Sequence, residues 1–520
     1  MPRPSQMAAE IDLAADVLVL GGGPAGAWAA LAAAEAGARV VLADKGRVGT
    51  SGASAAANTA VIAAPDAATR AVVMERRLAR GFGLVQAETV ERVLDEAHGR
   101  LLDLGAWGYA FARDDAGAIY RGTLRGPDYL QLLRRRLHKA GVRILDHSPA
   151  LALIGDRAGA AGAWGVARAG GARWRVRAGA VVIATGGCAF RSKALGTHGL
   201  TGDGLLMAAE LGATLSGMEF SGQYGISHVA ATVTKNLIYG WASFTDATGR
   251  RLEGEDPFEI LARHLPEGPV YAMIDRASPA IREGLRRGQP NIFLPLDRLG
   301  IDPFTERFPV TLRYEGTVRG VGGLSIDPRG ATGVPGLFAA GDAASRESLV
   351  GATSGGGGPN ATWAIASGCW AGAAAAAFAA GTDARPDGGP VAEMPLLDDA
   401  GLAEGLRLVQ DELFPVERNF IRDGAAMRGA RQRLGEGWRR LRRAGRAPAA
   451  GLDAARLLRG RELAAITATA RWINAAALAR TESRGIHRRR DCAATDPAQA
   501  RSLSVSGLDH PVATKSEAVR

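Results

Sequence analysis

The stretch DVLVLGGGPAGAWAALAAAEAGARVVLADKG, residues 16–46, constrains this chain more than any other. An apolar run, Val17 to Leu20, enters the turn Gly21-x-Gly23-x-x-Gly26. A helical Ala/Leu run follows, and a second apolar run, Ala38 to Ala43, ends at Asp44. Each part has a physical reason. Gly21 permits the tight turn, Gly23 lets a pyrophosphate approach the backbone, and Gly26 lets helix and strand pack closely. The helix N-terminus, with Pro24 and Ala25 in its first turn, offers unpaired N–H groups and a positive dipole end to phosphates. Asp44, at the tip of the second strand, can accept both hydroxyls of an adenosine ribose. Strand, turn, helix, strand and acid in this order predict a dinucleotide-binding βαβ unit.

Two further segments choose the dinucleotide. AGAVVIATGG (178–187) reads as another buried strand ending in a glycine turn at Ala184-Thr185-Gly186. GVPGLFAAGDAA (333–344) reads as a short strand ending in Gly341-Asp342. An acid at such a strand end can hold a ribitol hydroxyl, which FAD has and NAD lacks. Glycine fills 70 of 520 positions, about twice the usual share of ~7%. It clusters in GGGPAG, ATGGC, TGDG and SGGGG, where backbone must approach something closely. SGGGGPN (354–360) runs into an Ala-rich helix. Gly357, Gly358 and Asn360 there would set N–H groups and a helix N-terminus against a flavin ring, with Pro359 fitting a first-turn position.

Bulk properties exclude other classes. The net charge of +10 comes from arginines spread along the chain, without zinc spacing, an RNA-binding signature or a long basic block, so a nucleic-acid role is not expected. Cys188, Cys369 and Cys492 are widely separated. They form neither a disulfide framework nor a metal motif, which suits a reducing, cytoplasmic setting. No metal site is expected. The N-terminal residues lack a signal-peptide layout. The uncharged window WAIASGCWAGAAAAAFAAG (363–381) is mostly Ala and Gly, so it is expected to be a buried helix and not a membrane span.

With those landmarks placed, the chain resembles the flavoprotein superfamily of fumarate reductase, succinate dehydrogenase and L-aspartate oxidase. A looser likeness is to the adenylylsulfate reductase flavoprotein subunit. The resemblance rests on LADKG, TSGASAAANTAVIAA (50–64), ATGG, HGLTGDGLLMAAELGATLSGMEF (198–220), GVPGLFAAGDAA and ARTESRGIHRRRD (479–491). It implies bound FAD and adds Lys45, Ser51, Ser54 and Asp203 to the expected cofactor-binding set. It also implies that the arginine cluster near residue 485 packs back toward the flavin side, with His487 a structural partner.

The departures are as informative. Members with covalent FAD carry a His where Ala53 stands, so non-covalent FAD is expected. The dicarboxylate-binding members use two His and two Arg. Here those positions fall on Tyr224 in MEFSGQYGIS, on Val318 beside Arg319 in GTVRGVGG, on TKNLIYGWASFTDATG in place of Arg-Gly-Glu-Gly-Gly, and on glycine in ATSGGGGPN (352–360). A dicarboxylate leaving water needs matched cationic partners. A chain without them is not expected to bind succinate, fumarate or aspartate well.

The expected fold is α/β. A discontinuous Rossmann-like FAD-binding domain (1–220 and 311–390) carries an inserted α+β capping domain (221–310). A linker at 391–400 leads to a helical C-terminal domain (401–500) and a tail (501–520) without periodicity. Substrate would lie between flavin and cap, with Tyr224, Tyr239, Arg319 and Arg484 as candidate catalytic residues, while Lys235 is expected at the surface. The expected function is FAD-dependent oxidation or reduction of a small metabolite by hydride transfer at flavin N5. Two alternatives stand beside it: an electron-transferring subunit with an iron–sulfur partner, and a non-catalytic flavin scaffold.

Overall fold

The computed structural model describes residues 11–114, 116–156, 158–234, 236–381, 395–444 and 453–515. Lys235 and the first part of the expected linker, 391–394, lie outside the described residues.

The strand Ile11–Leu20 forms the middle of a seven-stranded sheet because its last four residues are apolar on both faces and fully buried. Val40–Ala43 lies parallel to it on one side and Arg173–Ile183 parallel on the other. Arg143–Leu145 extends the first side. The long strand Arg173–Ile183 has two partners along its far edge. Its first half pairs antiparallel with Gly159–Val166, which pairs in turn with Ala150–Asp156. Its second half pairs parallel with Leu337–Ala339, returning from beyond the inserted segment. That pairing makes the FAD-binding fold discontinuous in sequence.

Two helices lie together on the sheet, Pro24–Glu35 and Gly358–Ala380. Their closeness explains their composition. A Cβ on Gly372 would sit 2.1 Å from the Ala29 carbonyl oxygen, and one on Gly368 2.5 Å from that of Ala25. The second helix is long and apolar enough to cross a membrane, but most of that apolar stretch is buried here against its neighbour and the sheet. It starts at Gly358, earlier than the apolar window alone suggests.

The inserted segment forms an antiparallel sheet in the order Tyr224–His228, Phe308–Tyr314, Val270–Met273, Ser243–Thr245. Helices Pro257–His264, Pro279–Gly288 and Pro290–Arg298 accompany it, around a core that includes Phe244, Phe293 and Phe308. The strand Phe308–Tyr314 bonds to cap strands on both edges, so the cap runs past the expected boundary at 310.

Among the described residues the C-terminal region holds three long helices, Asp399–Leu413, Gly424–Arg443 and Ala454–Ala479, with the short helix Val416–Asn419 between the first two. The tail in which the sequence shows no periodicity contains strands. Leu503–Ser506 and Val512–Lys515 form a hairpin that adds to Leu215–Ser216, itself paired with Gly323–Leu324. Leu503 and Val505 alternate inward and are buried, a period-two pattern too short to stand out in the sequence.

Candidate functional site

One cavity of about 430 Å³ runs along the ends of the parallel strands, from Asp44 and Pro149 past Gly21 and Gly23 to Gly341, Gly357 and Asn360. Gly21 adopts φ +104° and lies tight against Ala184 and Thr185. A Cβ on Gly26 would fall 1.8 Å from the Gly21 carbonyl oxygen, so this residue serves packing and does not line the cavity. Gly23 has open space where a Cβ would stand, at the N-terminus of the helix that begins at Pro24. Helix N–H groups and unobstructed backbone at one point suit a pyrophosphate.

Asp44 is held ready at its strand end. Its carboxylate accepts from the N–H groups of Gly22 and Gly46 and from Ser51 Oγ at 2.6–2.8 Å. Lys45 Nζ donates to Asp203 Oδ2 at 2.6 Å and sits 2.7 Å from Glu462. Burial pulls its ammonium pKa down, but the two carboxylates outweigh burial and hold it above its ordinary value. At the other end Asp342 receives Arg346 Nη1 at 2.6 Å. Burial raises the Asp342 pKa, while Arg346 opposes the rise.

Of the expected cofactor residues, Gly21, Gly23, Pro24, Ala25, Asp44, Lys45, Ser51, Ser54, Ala184, Thr185, Gly186, Asp203, Gly341, Asp342, Gly357 and Asn360 line this one cavity. Gly26 and Gly358 sit behind it. The glycine cradle, the helix N-terminus and the acids at both ends fit an extended dinucleotide with two polyols.

The four candidate catalytic residues separate. Arg319 lines the cavity. Tyr224 does not: its ring is buried against Tyr314 and Phe420, and its hydroxyl donates to the Leu413 carbonyl at 3.0 Å. Tyr239 is buried in the cap core beside Phe244 and Phe308. Arg484 is also corrected to a structural role. It donates to Glu482 at 2.6 Å, to the Asp496 carbonyl at 2.7 Å and to the Phe82 carbonyl.

The buried charges around this segment are built the same way, while Arg490 and Asp491 at its end are exposed. Arg480 donates to Glu219 at 2.7 and 2.8 Å and to Glu482 at 3.0 Å. His487 Nδ1 lies 2.6 Å from Arg422 Nη1, and its Nε2 lies 3.2 Å from the Arg480 carbonyl. Burial, reinforced by Arg422, drives the His487 pKa far below its ordinary value, so the ring is neutral, accepting at Nδ1 and donating at Nε2. These charges face one another and not solvent.

Sequence reasoning missed Pro149 and Ala150, which line the cavity near Asp44, and Arg346, which fixes its far end. Arg346 stands four residues after Asp342, a spacing that could have suggested the pair.

A fold that carries this cavity defines an FAD-dependent oxidoreductase, and comparison with known proteins agrees. Residues 16–359 match the family described as FAD binding domain, and residues 417–518 match fumarate reductase flavoprotein C-term. The chain is 30% identical over 559 aligned positions to L-aspartate oxidase of Mycobacterium leprae, covering 97% of this chain and 98% of that one. It is 27% identical to the fumarate reductase flavoprotein subunit of Mycobacterium tuberculosis, covering 63% and 64%. FrdA of E. coli quinol fumarate reductase superposes with a TM-score of 0.83 at 22% identity, covering 98% and 97%. An adenosine-5-phosphosulfate reductase in complex with sulfite superposes at 0.75 and 17% identity, over 100% and 99%. The chain belongs to the FAD-binding flavoprotein family of the fumarate reductases and L-aspartate oxidases.

Proposed function

We propose that this flavoprotein transfers hydride at flavin N5 to or from a small metabolite that is not a simple C4 dicarboxylate, with its FAD held non-covalently. One observation carries the reading. At the glycine-loop end of the cavity, Arg319 is the single cationic side chain among the described lining residues. The other lining cations, Lys45, Arg168, Arg191 and His198, gather at the Asp44 end, where Lys45 and Arg191 are committed to Glu462. Bound FAD supplies the two-electron chemistry, and the protein orients the reactant and excludes water. Gly341, Asp342 and Asn360 are the residues we assign to the ribityl and ring side, and Gly23, Asp44 and Ser51 to the phosphate and ribose side. Free cysteines throughout suit the reducing cytoplasm we assign to it.

The test is turnover of the FAD-loaded protein with L-aspartate, succinate and fumarate, supplying an artificial electron acceptor or donor. We expect no turnover with any of the three. Saturable turnover of L-aspartate would overturn the reading and place the chain with its L-aspartate oxidase relatives.

A second reading, an electron-transferring subunit with an acidic, cluster-bearing partner, has its own support. The helix Ala67–Arg80 buries none of its residues and exposes Val72 and Leu78, with Phe82 just beyond. Arg76, Arg77 and Arg80 form no ion pair among the described residues. Gly81, at the helix end, lies against Gly351, close to the glycine loop of the cavity.

A further inference from the structure

At the glycine-loop end of the cavity the one cationic lining side chain among the described residues is a guanidinium with a defined setting. Arg319 sits on a turn held from both sides. The buried Arg346 donates to the carbonyls of Thr317, Val318 and Gly320 at 2.7–3.0 Å. The Arg319 carbonyl accepts from Gly355 N–H at 3.0 Å and from Ser354 Oγ at 3.2 Å. Its side chain lies over Gly356, where a Cβ would stand 3.2 Å from Arg319 Cδ. The guanidinium is oriented in turn by the cap. Its Nε lies 3.2 Å from Glu315 Oε1, and Thr234 Oγ1 donates to that same oxygen at 2.6 Å. Glu315 is 1% exposed and follows the cap strand Phe308–Tyr314. Nε faces Glu315, and among the described residues the edge formed by Nη1 and Nη2 donates to nothing.

We infer, resting on the oxidoreductase reading above, that this edge of Arg319 takes the one anionic group of a singly charged substrate, a monocarboxylate. A guanidinium edge matches a carboxylate with two parallel N–H···O bonds. The charge count then sets the limit. Among the described residues, Arg319 lies 3.2 Å from Glu315 and Arg346 2.6 Å from Asp342, each cation facing a carboxylate. One added carboxylate gains two charge-assisted bonds. A second would meet no other lining cation at this end among the described residues and would keep its desolvation penalty. The cavity lining also includes Ala53, Ala57, Ala60 and Val318, which suit an apolar remainder, beside the polar Asn58, Thr59 and Asn360. Thr234 and Glu315 are positioning residues that act through Arg319.

The test uses FAD-loaded protein with propionate and phenylacetate as probes, and succinate and fumarate as comparators. Binding is read by calorimetry and by the change in flavin absorbance. The monocarboxylates should bind saturably, and the dianions at least tenfold more weakly. Arg319→Gln should weaken monocarboxylate binding tenfold or more, with Arg319→Lys recovering part of the loss. Thr234→Val should weaken it less while leaving thermal stability and FAD content near those of the parent. The inference is overturned if neither monocarboxylate binds, if dianions bind as well, or if Arg319→Gln binds like the parent. Photoreduction of the same samples separates the two readings. A flavin that reduces normally but ignores monocarboxylates sinks this inference alone, whereas a protein that takes up no reducible FAD sinks the oxidoreductase reading.

Discussion

Arg319 and Arg484 were equal candidates in the sequence, and their surroundings make them opposite in kind. Arg484 is 4% exposed with its donors spent on Glu482 and two carbonyls. Arg484→Met should therefore leave the Glu482 carboxylate short of a partner in the interior, at a cost of about 3–5 kcal/mol. A fall in the urea midpoint checks this, and an unchanged midpoint would return Arg484 to the list of functional groups. Glu347 makes a pH-dependent prediction. Burial, with Glu219 nearby, pushes its pKa up to about 8 from an ordinary 4.5. The folded protein therefore keeps a proton that the unfolded chain releases. This contribution to stability is complete below about pH 4.5 and is lost as pH rises through about 8. Glu347→Gln should match the parent near the acid end of that window and exceed it by ~1–3 kcal/mol above it. Urea titrations at both ends decide the matter, and parallel curves would place the proton elsewhere.

At the scale of elements, the two helices that cradle the cofactor depend on missing side chains. Gly372→Ala ought to help a helix, since alanine is favoured over glycine by about 1 kcal/mol in a helix interior. Here the added methyl would meet the Ala29 carbonyl at 2.1 Å, and backbone cannot yield cheaply. The clash wins, so the variant should be less stable and hold less FAD per chain, read as the ratio of flavin to protein absorbance. Retained FAD with a raised melting temperature would show that the helices can part without consequence. The C-terminal hairpin makes the complementary case. Val505 is fully buried where it pairs with Leu215, so Val505→Asp should lower the melting temperature by several degrees or prevent soluble expression.

Across the whole molecule, a net charge of +10 could suggest broad affinity for polyanions, yet many arginines are spent internally. Arg346, Arg422, Arg461, Arg480 and Arg489 are all buried. Other arginines are exposed along the chain, and among them Arg76 and Arg80 on the helix Ala67–Arg80 form no ion pair among the described residues. If the electron-transfer reading holds, Arg76→Glu with Arg80→Glu should slow reduction of an acidic ferredoxin-type acceptor about tenfold at low salt, and the difference should fade at high salt. Unchanged rates at low salt would leave this surface without a role in transfer.

What the sequence determined by itself was whatever local backbone geometry dictates: the glycine turn at 21–26, the acids at the ends of short apolar strands, a helix with Pro359 in its first turn. Those signals are legible because glycine fits a positive φ or a close backbone approach far more readily than other residues, and because strand, turn and helix follow within a few residues. The expectation that the two-His, two-Arg clamp is missing rests on the sequence pattern alone, and turnover of L-aspartate is its test. Only the tertiary structure decided which polar groups face the cavity. Tyr224, Tyr239 and Arg484 looked no different from Arg319 in one dimension, because burial and hydrogen-bond partners come from segments far away, such as Leu413 for Tyr224 and Phe82 for Arg484. Arg346 and the Glu315–Thr234 pair went unseen for that reason, and the tail hairpin because two four-residue strands carry too short a pattern. A charged side chain's role is set by what is near it in space, and distance along the chain says little about that.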